Sequence, residues 1–143
     1  MILLDTTVLV YAVGADHPLQ RPCRRLLKAI ADHAVEATTT PEVIQEFVHV
    51  RSRRRSRADA VRLGTEWIHL LSPLSVVNET VLAAGLRLYD RVDDLGSFDA
   101  VLAAAAQQLG APLASADRRF AAVTDLQHVV PDDDGIDRLL GEA

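Results

Sequence analysis

The chain has 143 residues, 49% of them apolar and 24% charged, so it is long and apolar enough to bury a core as one domain (1–143) and is not disordered, collagenous or low-complexity. No apolar run approaches the roughly 18–20 residues that span a bilayer, no basic and apolar leader opens the chain, and the single Cys23 excludes an internal disulfide or a cysteine zinc cluster, so a cytoplasmic protein is expected. The net charge of −5 excludes a uniformly basic nucleic-acid binder.

Met1 to Leu4 is a short apolar run ending in Asp5, the pattern of a buried strand. Thr6 or Thr7 caps a helix over Val8 to Val13, stopped at Gly14. Cys23, Leu26, Leu27 and Ile30 set a helical stripe that runs to His33. Val35 to Thr39 is β-prone and predicts a second strand. Thr40-Pro41 is a helix start that pairs a capping hydroxyl with proline at the first position. This helix runs to Val50 or beyond, and the arginines at 51–57 join it to another over Ala58 to Leu71. Leu74 to Val77 predicts a third strand. Asn78 caps a helix over Glu79 to Arg91, and Ser97 caps one over Phe98 to Leu109, closed by Gly110. Pro112 to Ala116 and Gln127 to Val130 predict the fourth and fifth strands, with a helical turn over 117–123 between them. The acidic tail from Pro131 ends in a short helix or frays. Short apolar runs alternating with helices imply an α/β fold, a mostly parallel sheet of about five short strands with helices on both faces.

In such a sheet, sites form beyond the carboxyl ends of the strands. Asp5 ends the first strand and Asp117 follows the fourth, so the topology brings them to one edge. Asp99 is the only charge in the helix Phe98 to Leu109, which is otherwise apolar on nearly every side, and a buried carboxylate needs a partner. On the helix from Pro41, Glu46 borders the apolar arc of Val43, Ile44, Phe47 and Val50. Glu42 lies in the first turn, where the helix dipole already accounts for it. Asp93 and Asp94 read as solvated bystanders or as outer supports of the site, and Asp132 to Asp134 as a charge run without a role. No His or Cys partner, glycine-rich phosphate loop or dinucleotide fingerprint accompanies the acids. Four carboxylates without softer ligands suit Mg²⁺ or Mn²⁺. The chemistry such a site performs best is phosphodiester hydrolysis.

These residues fall into four motifs that together resemble PIN-domain ribonucleases. Asp5-Thr-Thr-Val-Leu-Val-Tyr-Ala12 resembles the opening motif, Pro41-Glu-Val-Ile-Gln-Glu46 the second, Phe98-Asp99-Ala-Val-Leu-Ala-Ala the third, and Ser115-Ala-Asp117-Arg-Arg-Phe120 the fourth. The acids are spaced by 41, 53 and 18 residues, in family order along essentially the whole chain. One departure is Thr7, where Asn or Ser is common. A lone domain of this length is similar to the VapC-type toxins of toxin–antitoxin pairs. The resemblance implies a single PIN-like domain and a Mg²⁺-dependent endoribonuclease that is dimeric and inhibited by a VapB-type antitoxin. It carries the catalytic and metal-binding roles to Asp5, Glu46, Asp99 and Asp117, and supporting hydroxyl roles to Thr6 and Ser115.

The segment 51–57 carries +5, which leaves −10 on the other 136 residues. Arg51, Arg53, Arg54, Arg55 and Arg57 are therefore expected to contact RNA phosphates beside the acidic edge. Three other assignments compete. A PIN-domain RNA-processing nuclease without an antitoxin would share the chemistry. A haloacid-dehalogenase-like phosphotransferase also begins strand–Asp, but it needs an acid where Thr7 stands. A non-catalytic RNA-binding module would not need four intact acids.

Overall fold

The computed structural model describes residues 1–142. Its elements in chain order are β1 (Ile2–Leu4), α1 (Thr6–Val13), α2 (Gln20–Ala31), β2 (Ala37–Thr38), α3 (Pro41–Arg54), α4 (Arg57–Leu71), α5 (Glu79–Arg91), α6 (Ser97–Leu109), β3 (Leu113–Ala114), a 3₁₀ turn (Arg118–Ala122), β4 (His128–Val129) and α7 (Asp133–Leu140). All strand pairings are parallel, in the order β2-β1-β3-β4. Ile2, Leu3, Leu4, Leu113 and Ala114 are all buried. Successive strand residues face opposite sides, so both faces of the sheet centre are covered. Among the described residues, no helix is long and apolar enough to cross a membrane.

The sheet has four strands rather than about five. Leu74 to Val77 is β-prone but stays irregular. Proline at 73 offers no N–H, Val76 is exposed, and the segment meets the sheet through the Ser75 N–H donating to the Thr39 carbonyl at 2.9 Å. Two hydroxyls tie down the same region. The Thr39 hydroxyl donates to the Leu4 carbonyl at 2.7 Å, and the Thr38 hydroxyl to the Pro73 carbonyl at 2.9 Å.

Helix starts follow their capping chemistry. The Thr40 and Asn78 side chains accept the N–H groups of Val43 and Val81. Ser56 likewise caps α4, accepting from Asp59, so the arginine segment is the end of one helix and the start of the next. At α1 the cap position belongs to Asp5, with Thr6 and Thr7 already helical. Gly96, not Ser97, precedes α6, and Gly110 closes it at φ 61°, a left-handed conformation that glycine adopts without strain. In the acidic tail Asp132 caps α7 by accepting the Gly135 N–H at 2.8 Å, and Arg25 of α2 pairs with Asp137 and Glu142. The tail is therefore packed on α2, not a free charge run.

The α5–α6 pair positions Asp99, and it packs tightly at Gly85. A Cβ there would lie 2.6 Å from both Cα and Cγ2 of Val101. Gly85→Ala tests this close approach. The gain in helix propensity is about 1 kcal/mol, while overpacking costs about 1–3 kcal/mol. The expected outcome is a lower urea midpoint, whereas a stabilised variant would show that the two helices separate freely.

Candidate active site

Asp5 follows β1, an inner strand of the sheet, and is 5% exposed. Two hydroxyls converge on its Oδ2: Ser115 Oγ donates at 2.6 Å and Thr7 Oγ1 at 2.9 Å. Each hydroxyl also accepts a backbone amide from beyond β3, Thr7 from Ala116 at 2.9 Å and Ser115 from Asp117 at 3.0 Å. These relays join the β1–α1 junction to the loop that carries Asp117. Burial pushes the Asp5 carboxyl above its ordinary pKa, and the hydroxyl hydrogen bonds oppose the shift. His128 supports the loop from behind, donating its Nε2–H to the Ser115 carbonyl at 2.9 Å while packing against Phe120.

Asp99 enters from the first turn of α6. Its pKa is pushed up to about 6 by burial and then by the charges of Asp5 and Asp117, with Arg119 opposing. Asp117 lies below the usual carboxylate range because Arg119 hydrogen-bonds to it. The Arg119 Nε lies 3.0 and 3.1 Å from the two Asp117 oxygens, and one terminal nitrogen is 2.5 Å from Oδ2. The same nitrogen is 3.7 Å from Asp99. Among the described residues, no three acids are drawn into a ready-made cation cage. The four expected acids share one edge, but Asp117 is turned onto Arg119 and Glu46 onto Thr6.

Glu46 accepts the Thr6 hydroxyl at 2.7 Å on Oε2. It lies on an exposed stripe of α3 with Glu42, His49 and Arg53, spaced by four, three and four residues. Asp5, Glu46 and Asp99 line one cavity of about 730 Å³, with Glu42 and His49 on the α3 side and Leu82, Leu86 and Phe98 opposite. Glu42 thus borders the cavity as well as the helix start.

The arginine cluster divides. Arg51 is a correction: its side chain is 14% exposed, bonded to Asp59 at 2.6 Å and to the Val13 carbonyl at 3.1 Å, so it braces α3 against α4 and α1 and is not presented to RNA. Arg53, Arg54, Arg55 and Arg57 are exposed, and Arg53 continues the Glu46 stripe. Sequence reasoning missed Arg119 and the structural use of Thr7. Arg119 had a legible signal, since an Asp two residues earlier commonly accepts the backbone N–H, as Asp117 does here at 3.0 Å.

Residues 2–126 match the PIN domain model, and over 144 aligned residues the chain is 54% identical to Ribonuclease VapC7 of Mycobacterium tuberculosis, covering 99% of each. The chain belongs to the PIN-domain family, among its VapC ribonucleases. A second M. tuberculosis relative, Ribonuclease VapC23, is 32% identical over 77% of this chain and 86% of its own. The PIN fold is shared with FitAcB of Neisseria gonorrhoeae (TM-score 0.74, 18% identity, 92% of this chain and 98% of that one). It is shared also with VapBC2 of Rickettsia felis, solved bound to a promoter DNA fragment (TM-score 0.70, 16% identity, 90% and 97%).

The Asp99 shift has a stability consequence. Its pKa is raised from 3.8 to about 6, so between those values the folded PIN domain binds more protons than the unfolded chain. Stability therefore falls as pH rises through this window, and stays reduced above it, by about 3 kcal/mol at most. Melting curves from pH 4 to 8 should show this slope in the wild type. Asp99→Asn should flatten it and melt higher than the wild type at pH 7.5; equal slopes would place Asp99 outside the charge cluster.

Proposed function

We propose that Asp5, Glu46, Asp99 and Asp117 hold Mg²⁺, with Mn²⁺ as a substitute, and that RNA phosphodiester bonds are cut at this centre. The chain is an endoribonuclease, the toxin of a VapBC-type toxin–antitoxin pair, working in the cytoplasm as a homodimer restrained by a VapB-type antitoxin. The observation that carries this reading is the gathering of acids from four distant stretches at one end of the sheet, wired by the Ser115–Asp5 and Thr6–Glu46 hydrogen bonds.

The donor set fits a hard cation. Every charged donor is a carboxylate oxygen, and burial and mutual repulsion raise Asp5 and Asp99, a cost that a divalent cation relieves. When bound, such an ion polarises a phosphate oxygen and lowers the pKa of an attacking water. The protein's own residues prepare the rest. Thr7 and Ser115 fix the Asp5 carboxylate, Thr6 fixes Glu46, and neither acid has to be ordered during reaction. Arg53, with Arg54, Arg55 and Arg57, offers phosphate contacts that position RNA without reading its bases.

Partner binding is supported by the apolar side of the same cavity and its continuation along α5. Leu82, Leu86 and Tyr89 are exposed and recur on one side of α5, and Phe98 beside them is 79% exposed. An apolar face of this kind suits a protein partner.

Asp5→Asn, Asp99→Asn and Asp117→Asn are each expected to lower RNA cleavage at least about 100-fold without changing circular dichroism, non-additively when combined. Glu46→Gln should impair Mg²⁺-dependent cleavage more than Glu42→Gln, and EDTA should abolish it. Near-normal turnover in an Asp variant would remove that residue from the centre. EDTA-insensitive cleavage would remove the metal. RNA binding without cleavage would favour a non-catalytic module. Normal cleavage with no antitoxin able to suppress it would favour the processing-nuclease alternative.

Replacing Arg53, Arg54 and Arg55 together by Gln should raise KM for RNA more than it lowers kcat, with a smaller effect as salt increases. An unchanged KM with lost antitoxin affinity would assign these arginines to the protein partner.

A further inference from the structure

We propose that Arg119 is a resident counter-cation of the acidic centre, which a divalent metal must displace from Asp117 in order to bind; this rests on the metal reading of the centre given above. Of the carboxylates at this edge, Asp117 is the one whose two oxygens are both engaged by a cation of the chain itself. Those oxygens carry the lone pairs that a metal would need. The contact is built locally. The Asp117 carboxylate accepts the Arg119 backbone N–H as well as the guanidinium, so the 3₁₀ turn presets the side chain two residues from the acid. The guanidinium also reaches Asp99 at 3.7 Å and thus spans two of the expected ligands.

The pair is arranged to open. Arg119 is 57% exposed, and among the described residues its guanidinium is hydrogen-bonded to Asp117 alone, with Asp99 in longer ionic contact. An exposed ion pair is weak, so a divalent ion competes with it successfully but at reduced affinity. The neighbouring Arg118 is also exposed and carries the same charge, without a bond to Asp117. It therefore separates displacement from a general change in local potential.

The test is direct Mn²⁺ binding to the full chain without RNA, by calorimetry and by Mn²⁺-induced melting shift, in wild type, Arg119→Gln, Arg119→Lys and Arg118→Gln. Arg119→Gln is expected to bind Mn²⁺ about three- to fivefold more tightly. Arg119→Lys should be intermediate, because an ammonium cannot engage both oxygens as a planar fork does. Arg118→Gln should change affinity less than about twofold. A merely structural role for Arg119 would move affinity the other way, by loosening Asp117. Equal or weaker binding by Arg119→Gln, with wild type binding normally, overturns the inference alone. Equal gains in Arg118→Gln and Arg119→Gln overturn it in favour of bulk charge. Should Arg119→Gln fail to fold, Arg119→Lys decides by the same criterion. No Mn²⁺ binding by any form, together with EDTA-insensitive cleavage, overturns the metal reading and this inference with it.

Discussion

The structure is organised around the cost of burying one carboxylate at the end of an inner strand. Asp5 is nearly inaccessible to water, and an unpartnered charge there would be prohibitive. The solution is local and fully used. Each of two hydroxyls spends its single proton on Asp5 and accepts a backbone amide in return. The carboxylate, the first turn of α1 and the loop after β3 therefore hold one another in place. Replacing any member leaves a buried polar group without its partner, a loss larger than that of the bond itself.

A second tension runs through the same edge. Carboxylates placed together for chemistry repel, and the folded chain carries that repulsion whenever it is not offset. Burial first, and then this repulsion, raise the Asp99 pKa. Arg119 softens it from one side, and the remainder is a stability cost located at the candidate site. The helices carrying the acids are correspondingly well anchored. α3 begins at a capped Thr40 and packs Phe47 edge-on against Trp67 of α4, while α6 is pressed closely against α5.

Much of this was legible because it is encoded locally. Thr40-Pro41 and Asn78 announce helix starts that the side-chain caps realise, and the span Glu79–Arg91 was readable to the residue. Asp5 and Asp117 follow from the rule that parallel sheets build sites at their carboxyl ends. The strands were harder. Two- and three-residue strands take their ladder from neighbours distant in sequence, so Val35 to Thr39 contracts to Ala37–Thr38 and Leu74 to Val77 has no ladder. The arginine run also misled in part, since composition cannot tell a phosphate contact from an internal brace. The Asp59 partner that claims Arg51 becomes visible only when α3 and α4 pack.

The unbroken course of α3 gives the centre a ruler. Glu46 and Arg53 sit on one continuous helix, and seven residues at the helical rise set them about 10 Å apart along its axis. A loop between them would let that interval vary with each substrate. A helix does not, so under the proposed function a phosphate held by Arg53 would be offset from Glu46 by a fixed backbone interval. Under that proposal, position along the strand would be set by counting from an anchored phosphate, with no base read at the bond that is cut.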